Sequence, residues 1–232
     1  AAGLQAADGN GLGVVWGDFD GDGSLDLYVA NDATPNQLWL QTEPGVFHDS
    51  ALLFGCALGA LGEARAGMGV AAADLENDGD LDLFLANLRG EPNTVYLQAG
   101  QRFLDRTSQV GLGSSSRMFT GFGLGVQDFD ADGWLDAFVA NGHVLREEPL
   151  YDPAAPYAQP NQLFRGSPAG AFTEVLPRGG TEVELVASSR AAAFGDLDDD
   201  GDIDIVVVNQ DGPAHVLENT IGDARAWIGF RV

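Results

Sequence analysis

The sequence is poor in basic side chains and in cysteine. Only 11 of its 232 residues are Lys or Arg, against 35 Asp and Glu, and the formal net charge is −24. A nucleic-acid-binding surface is excluded, because phosphate backbones are held by clusters of Lys and Arg. Cys56 is the single cysteine, so neither an internal disulfide nor a paired-thiol metal site can form. Its apolar surroundings, residues 51–62, predict a buried, inert thiol. A free or intermolecular thiol is the alternative.

Long hydrophobic runs are also absent. No uninterrupted apolar stretch approaches the roughly 20 residues of a membrane span. No signal peptide is visible, and the chain begins within a repeat and without an initiator Met. We therefore expect a mature or trimmed piece of a longer protein, for which a missing leader says little about origin.

The acidic residues concentrate in four nearly identical segments, here called loops one to four. They read DFDGDGSLD (Asp18–Asp26), DLENDGDLD (Asp74–Asp82), DFDADGWLD (Asp128–Asp136) and DLDDDGDID (Asp196–Asp204). Each has an acidic side chain at positions 1, 3, 5 and 9 and a glycine at position 6, which favours a tight turn. Carboxylates this close repel one another unless a cation lies between them. Calcium prefers six to eight oxygen ligands, so one calcium site per loop is predicted.

The predicted ligands are the four carboxylates of each loop and the backbone carbonyl at position 7. The carboxylates belong to Asp18, Asp20, Asp22 and Asp26; Asp74, Glu76, Asp78 and Asp82; Asp128, Asp130, Asp132 and Asp136; Asp196, Asp198, Asp200 and Asp204. The carbonyls belong to Ser24, Asp80, Trp134 and Asp202. Loop two is expected to be the weakest copy, because the longer Glu76 side chain would crowd the ion. Four calcium ions would bring the formal net charge from −24 to −16.

Two other interpretations of the loops are weaker. An EF-hand needs a bidentate Glu at position 12 between two helices. Position 12 here lies in an apolar, strand-like run, as Val29, Leu85, Val139 and Val207. Alternatively, each Asp-Gly pair could simply mark a hairpin turn. A turn needs neither four acids nor a fixed spacing, so calcium loops between strands are favoured.

The similarity between loops extends to a longer repeat, which indicates a repeat architecture. Loops begin at residues 18, 74, 128 and 196, so the period is 54 to 68 residues. An asparagine stands 13 residues after each loop begins, and a proline follows it. These residues are Asn31, Asn87, Asn141 and Asn209, then Pro35, Pro92, Pro160 and Pro213. The repeat units are approximately residues 11–66, 67–120, 121–189 and 190–232.

Each unit is predicted to contain four short strands. The first, rich in Gly and Ala, precedes the loop at residues 11–17, 67–73, 121–127 and 190–195. The second follows the loop, at residues 25–30, 81–86, 135–140 and 203–208. The third begins near the proline, at residues 35–40, 92–97, 160–165 and 212–219. The fourth is placed at residues 46–49, 102–105, 171–175 and 226–232.

The strand pattern predicts an all-β fold, a β-propeller built of four-stranded antiparallel blades. In the second strands, residues at both odd and even positions are apolar, which is typical of strands buried on both faces. Radial stacking of four-stranded sheets meets that requirement. Small residues then suit the innermost strand, where backbones converge. The recurring Gly-x-Gly is not a dinucleotide site, because the strand it begins runs into an acidic loop instead of a helix.

Several motifs carry a resemblance to FG-GAP/VCBS repeat proteins, and within them to the cartilage acidic protein and ASPIC/UnbV family. They are GVVWGDFDGDGSLDLYVAN, TGFGLGVQDFDADGWLDAFVANGHV, PNQLF and AAAFGDLDDDGDIDIVVVNQDGP, and the resemblance covers nearly the whole chain. It implies a calcium-binding propeller of the integrin α-subunit type, exported from the cytoplasm. Calcium ligation carries over to the four Asp positions of loops one, three and four, whereas loop two departs at Glu76. The terminal RAWIGFRV resembles the start of an ASPIC/UnbV segment.

The resemblance also bears on the number of blades. Propellers of about four to eight blades are known, and about seven are expected for this family. We therefore expect the four units to be part of a larger propeller.

A non-enzymatic, calcium-binding module for protein interaction, structure or adhesion is the favoured function. The candidate surface is His143–Gln159, an insertion between Asn141 and Pro160 that carries two tyrosines and several prolines. Tyrosine on a stiff loop suits recognition, because little conformational entropy is lost on docking. The alternative is an inert surface insertion, which loops tolerate. An extracytoplasmic location is expected, because such loops often bind calcium only in the range of about 10⁻⁴–10⁻³ M.

Two alternative functions remain. A propeller enzyme, a hydrolase or oxidoreductase, would need a positioned acid–base pair or nucleophile. The histidines, His48, His143 and His215, fall in different units, and HExxH, GxSxG and CxxCH are absent. A carbohydrate-binding module could use Trp16, Trp39 or Trp134 if these are exposed.

Overall fold

A computed structural model describes residues 2–4, 8–144 and 154–222. It contains short strands and two four-residue helices, α1 (Ala51–Phe54) and α2 (Leu112–Ser115), with a 3-10 turn at Arg178–Gly180. The strands of the first half are β1 (Gly11–Gly17), β2 (Asp26–Asn31), β3 (Gln37–Glu43), β4 (Val46–Asp49), β5 (Gly67–Ala73), β6 (Asp82–Asn87), β7 (Thr94–Gln98) and β8 (Phe103–Asp105). Those of the second half are β9 (Gly121–Gln127), β10 (Asp136–Asn141), β11 (Gln159–Pro160), β12 (Gln162–Arg165), β13 (Thr173–Glu174), β14 (Val186–Ala187), β15 (Ser189–Gly195), β16 (Asp204–Asn209) and β17 (His215–Leu217).

The strands form four antiparallel sheets that correspond to the four repeats. Blade one is β1-β2-β3-β4, blade two β5-β6-β7-β8, and blade three β9-β10-β12-β13. Blade four contains β15-β16-β17 in the described part of the chain, because its predicted fourth strand at 226–232 lies outside the described residues. Strands β11 and β14 form a separate two-stranded sheet that the sequence did not predict. The predicted all-β architecture of four-stranded propeller blades is confirmed.

Each acidic loop connects the first two strands of its blade. In blade one the closing pair is Gly17 opposite Asp26, and in blade four it is Gly195 opposite Asp204. Strand two therefore begins at the position-9 aspartate, one residue later than predicted. The third strand also begins later, at Gln37 in blade one, because the preceding Pro-Asn pair forms a turn contact and lies outside the ladder.

The chain divides into two compact units, residues 1–121 and residues 122–232. In the first unit, blades one and two share a core that includes Tyr28, Leu38, Leu83 and Tyr96. In the second unit, the core of blades three and four consists of Phe129, Phe138, Ala140, Ile205 and Val207.

The innermost strands pack backbone against backbone within each unit, as their small residues predict. A Cβ added to Gly13 of β1 would collide with the carbonyl oxygen of Met68 in β5. A Cβ added to Gly123 of β9 would likewise collide with the backbone nitrogen of Ala192 in β15. Glycine is needed at both positions because no side chain fits between the strands.

The predicted two-sided burial of the second strands holds fully for two of them. Every residue of β6 and β10 is buried. In β2, Leu27 and Val29 are only partly buried, and in β16 Val208 is 51% exposed. One face of blade one and one face of blade four are therefore open in the described part of the chain.

Candidate metal centre

The first aspartate of each loop is held by backbone amides from the same loop. In loop one, Oδ1 of Asp18 accepts hydrogen bonds from the amides of Gly21 (2.9 Å) and Asp22 (3.1 Å), while Oδ2 accepts from Gly23 (2.9 Å). The bonds from positions 5 and 6 recur at Asp74, Asp128 and Asp196. The loop backbone therefore folds around the position-1 carboxylate and fixes its orientation.

Two left-handed residues shape each loop, at positions 4 and 6. The glycines at position 6 have φ between +85° and +97°, as Gly23, Gly79, Gly133 and Gly201. Position 4 is also left-handed: Gly21 has φ +76°, and Asn77, Ala131 and Asp199 have φ +56°, +51° and +67°. The sequence pattern indicated the left-handed residue at position 6 but not the one at position 4, because three of the four position-4 residues are not glycine.

The aspartate at position 9 joins the loop to the sheet. Asp26 is buried, its Oδ2 accepts from the amide of Phe19 (2.9 Å), and its Oδ1 accepts from the amide of Gln41 in β3 (2.9 Å). Asp82, Asp136 and Asp204 accept a similar pair of bonds, one from position 2 of the loop and one from the third strand or from a residue that follows it, as Gln98, Gly166 and Asn219. A carboxylate offers about four acceptor sites, so the second lone pair of each oxygen is still available to a cation.

Carboxylate oxygens converge in three of the four loops. One oxygen from each of three acids lies within 4.8 Å of the others, in the sets Asp18, Asp20 and Asp22; Asp128, Asp130 and Asp136; Asp196, Asp198 and Asp204. Each set could hold a metal ion. All-oxygen, anionic donors on a glycine-containing loop suit a hard divalent cation, so the residues present fit calcium.

Loop two differs from the others. Among the described residues, no three of its acids converge within the same limit. Glu76 has a pKa above its ordinary value, because of burial and then the neighbouring charge of Asp78. Loop two therefore lacks the convergence that the described residues show in the other three loops, and its standing as the weakest copy stays a prediction. The site in loop two remains a prediction.

The electrostatics of the loops disfavour ionised carboxylates when no cation is bound. Burial and then the charges of nearby loop carboxylates raise the pKa of Asp82 and of Asp136 to about 6, against two backbone amides that lower it. Burial also raises the pKa of Asp26 and of Asp198. A bound cation would reverse these shifts by stabilising the charged form.

The position-7 residues are placed for the role predicted for their backbone. The amides of Ser24, Asp80, Trp134 and Asp202 donate to the position-5 carboxylates over 2.7 Å, 3.0 Å, 3.0 Å and 3.2 Å. These bonds fix the peptide chain at the point where its carbonyl is expected to contribute. Ligation by these carbonyls remains a prediction.

Loop three has a basic neighbour that the loop pattern did not indicate. Arg165, at the end of β12, places Nη2 2.6 Å from Oδ2 of Asp130 and 2.8 Å from Oδ2 of Asp132. The guanidinium thus contacts the carboxylates at positions 3 and 5. It is the residue whose role near the loops sequence reasoning missed.

The residues considered for other functions occupy separate positions. Cys56 is buried, as predicted, and burial raises the pKa of its thiol well above the ordinary value. His48 is exposed on β4, His143 is buried beyond β10, and His215 lies on β17. Trp39 is buried and cannot serve as a sugar platform, whereas Trp16 is 57% exposed.

The candidate recognition segment His143–Gln159 needs a correction at both ends. Residues 145–153 lie outside the described residues. His143 is buried, and its amide donates to the carbonyl of Tyr157 over 2.8 Å. Ala158 is buried opposite Gly142, and Gln159 is buried in β11. These ends belong to the scaffold because their backbone bonds close the base of the insertion, so the described surface narrows to Val144 and residues 154–157.

Membrane insertion through a helix finds no support in the described residues. Neither of the described helices, α1 and α2, has the length or the apolar character to cross a bilayer.

The fold and the loops define a class of protein: an all-β repeat protein whose blades each carry an acidic loop between their first two strands. The chain belongs to the FG-GAP-like repeat family, whose model matches residues 18–85, 74–139 and 128–207. Each match begins at one acidic loop and ends in the second strand of the next blade.

The relatives agree with the resemblance seen in the motifs. The chain is 26% identical to mouse cartilage acidic protein 1 over 185 residues, covering 77% of this chain and 26% of that protein. It is 29% identical to the Xenopus tropicalis protein of the same name over 182 residues, covering 73% of this chain and 25% of that one. The chain thus spans about a quarter of the length of these relatives. Among solved structures it resembles BBS1N in complex with ARL6DN, with a TM-score of 0.48 and 16% identity over 92% of this chain and 55% of that chain.

Proposed function

We propose that this chain is a calcium-stabilised propeller segment that acts, without catalysis, as a protein-interaction module outside the cytoplasm. The convergence of three carboxylate oxygens within 4.8 Å in loops one, three and four carries the proposal. Four further features support it: the family, the fixed position-1 carboxylates, the buried position-9 carboxylates and the net charge of −24.

Calcium would supply positive charge where the fold concentrates negative charge. The residues that would hold it are the converging acids of each loop, with the position-7 carbonyl completing the protein ligands. The position-9 aspartate already connects its loop to the third strand. A cation on that carboxylate would therefore tie the loop to the blade and stiffen the blade edge.

The interaction role is supported by an open apolar face on blade one. Leu12, Val14 and Trp16 are 59%, 59% and 57% exposed on one side of β1. Val29 and Leu85 stand at position 12, counted from the start of loops one and two, and they pair with Val14 and Val70. Val14 and Trp16 of blade one therefore correspond to Val70 and Ala72 of blade two. Val70 and Ala72 pack against the core that blades one and two share. The corresponding face of blade two is covered by blade one, so the open face of blade one is suited to contact with another sheet.

Blade four offers a face of the complementary kind. Val208 and Val216 are 51% and 65% exposed. They correspond to Ala30 and Leu38, the residues with which blade one packs against blade two. We therefore infer that a second copy of the 232-residue chain can dock its blade four on blade one, by a contact of the same type. In the larger propeller expected from the sequence, further blades of the same protein would occupy these faces instead. The second protein surface is the insertion, where Tyr157 is 36% exposed.

An extracytoplasmic location follows from the expected affinity. Calcium sites with all-oxygen ligands on exposed loops often fall in the extracellular range of about 10⁻⁴–10⁻³ M. Calorimetry on calcium-stripped protein would measure this directly. We expect saturable binding at loops one, three and four, and the loss of one site in each of Asp20→Ala and Asp130→Ala.

Asp8→Ala is the control for these variants, because Asp8 is exposed and outside every loop. Absence of saturable calcium binding would overturn the metal proposal. Micromolar or tighter binding would remove the argument for the compartment and leave the site itself intact.

A further inference from the structure

The acids of loop three have a cationic partner among the described residues. Nη2 of Arg165 contacts Oδ2 of Asp130 at 2.6 Å and Oδ2 of Asp132 at 2.8 Å. These acids stand at positions 3 and 5, which are predicted calcium ligands. Asp130 also belongs to the converging set of loop three. The guanidinium and a divalent cation would therefore share the same carboxylates.

The basic residue is particular to blade three. Arg165 follows Phe164, which pairs with Ala137 of the second strand. The same register places Leu40, Leu97 and Glu218 at the corresponding position of blades one, two and four. Two of these side chains are apolar and one is acidic, so none can neutralise its loop as Arg165 does.

The converging acids of loop three differ from those of loop one. Loop one brings together positions 1, 3 and 5, as Asp18, Asp20 and Asp22. Loop three brings together positions 1, 3 and 9, and its position-5 acid, Asp132, faces Arg165. Loop four, which has Glu218 instead of an arginine, brings together the same three positions, so the set in loop three does not depend on Arg165. The contact bears on Asp130, which belongs to the set, and on Asp132, which is a further predicted ligand.

We propose that Arg165 is an internal counter-ion that competes with the divalent cation for loop three. This inference rests on the calcium proposal above. Cation binding at loop three has to displace the guanidinium from Asp130 and Asp132, so its affinity is lower than that of loop one. The same contact partly neutralises loop three when calcium is scarce, so this loop depends less on the ion for its folded shape.

The size of the effect follows from the exposure of the arginine. Its side chain is 52% exposed, so the pair is partly screened by water and salt. One nitrogen shared between two carboxylates, each contact being charge-assisted, is nonetheless stronger than a single surface ion pair. We expect removal of Arg165 to tighten cation binding at loop three roughly three- to tenfold at low ionic strength.

Trp134 provides a site-specific probe, because it stands at position 7 of loop three. Terbium occupies calcium sites and emits when a nearby indole is excited, so Trp134 reports on terbium bound at loop three. Trp134→Phe identifies that part of the emission. Calcium added to the terbium-loaded protein then gives the calcium affinity of the loop by competition.

Arg165→Leu is the test variant, since leucine stands at the corresponding position of blade one. Arg178→Leu is the matched control, because it removes one positive charge from the same unit while Arg178 pairs with Glu174 and Glu184. Arg165→Lys keeps the positive charge, and its single ammonium group can take the place of Nη2 between the two carboxylates. We expect tighter calcium binding in Arg165→Leu, an unchanged affinity in Arg178→Leu, and an affinity near the wild type in Arg165→Lys.

Each result decides the proposal. Equal affinities of Arg165→Leu and the wild type would overturn it while leaving the calcium sites in place. The same gain in Arg178→Leu would also overturn it, because net charge alone would then explain the effect. Binding by Arg165→Leu and none by the wild type would support it in its strongest form. Failure of both proteins to bind terbium and calcium would overturn this inference together with the proposed function.

Discussion

The backbone N–H of Asn31 donates a 2.9 Å hydrogen bond to Oδ1 of Asn36. Nδ2 of Asn31 also donates, to the carbonyl of Pro35 at 2.7 Å. The same two bonds join Asn87 to the Pro92-Asn93 pair and Asn141 to the Pro160-Asn161 pair. These two hydrogen bonds close the turn between the second and third strands, at the end of the blade opposite the acidic loop. The recurrent asparagines of the repeat are therefore structural.

Replacement of Asn36 should destabilise the first unit. Asn36→Ala leaves the buried N–H of Asn31 without its acceptor, which costs about 1–3 kcal/mol. Asn10→Ala is the control, because Asn10 is exposed and its side chain donates to the carbonyl of Asp32 at the surface. Urea unfolding of both variants would measure the difference. An equal effect of the two substitutions would contradict the structural role of the asparagine pair.

The left-handed residue at position 4 of loop three should be improved by glycine. Ala131 has φ +51°, whereas the corresponding residue of loop one is Gly21. We expect Ala131→Gly to stabilise the protein by roughly 0.5–1 kcal/mol, because relief of backbone strain exceeds the entropy that glycine adds to the unfolded chain. Ala155→Gly, at an exposed alanine without positive φ, should not stabilise. Thermal unfolding compares them, and a loss of stability in Ala131→Gly would contradict the backbone argument.

Without calcium, stability should fall as the pH rises from about 4 to about 7. The folded-state pKa values of Asp82 and Asp136 are about 6, above the ordinary value of 3.8. The unfolded chain therefore loses these protons first, and between the two values the folded state binds more protons. Stability then decreases with pH in this window. With calcium bound the slope should disappear in this window, because the ion favours the charged carboxylates and both states are then deprotonated at these groups.

Denaturant midpoints of calcium-stripped protein across this pH range would measure the slope. Asp136→Asn should flatten it, whereas Glu43→Gln, at an exposed strand end, should leave it unchanged. Rising stability of the calcium-free protein between pH 4 and 7 would contradict the assignment of raised pKa values.

The open face of blade one should cause self-association. Sedimentation velocity should show a sedimentation coefficient that increases with protein concentration. Val14→Ser combined with Trp16→Ser removes apolar surface from the face and should keep the chain monomeric. Leu61→Ser is the matched control, because Leu61 is 94% exposed but lies outside the sheet. A wild-type chain that remains monomeric at every concentration would rule out docking of a second copy.

Much of the fold was readable from the sequence because its signals are local and repeated. The acidic loops mark the first hairpin of each blade, and the apolar runs after Asp26, Asp82, Asp136 and Asp204 mark the second strands. Repetition at four places separated these patterns from chance turns. The small residues of the first strands also predicted the close approach that Gly13 and Gly123 show.

The remaining features depend on contacts that a linear pattern does not carry. The bond between Asn31 and Asn36 requires the turn geometry, so the repeat showed the asparagines without their role. The sequence gives no sign of the left-handed φ of Ala131, because alanine usually avoids positive φ. Arg165 is 33 residues from Asp132 along the chain, and only the pairing of β10 with β12 brings them together.

The melting temperature of the calcium-stripped protein, measured with and without added calcium, tests the role of the acidic loops most directly. With calcium at about 100 times its dissociation constant, one site stabilises the folded state by about 2.7 kcal/mol. For a chain of this size we expect a rise of roughly 5–10 °C or more, with a smaller rise in magnesium. Identical melting temperatures in calcium and in chelator would contradict calcium as the ion that holds these loops.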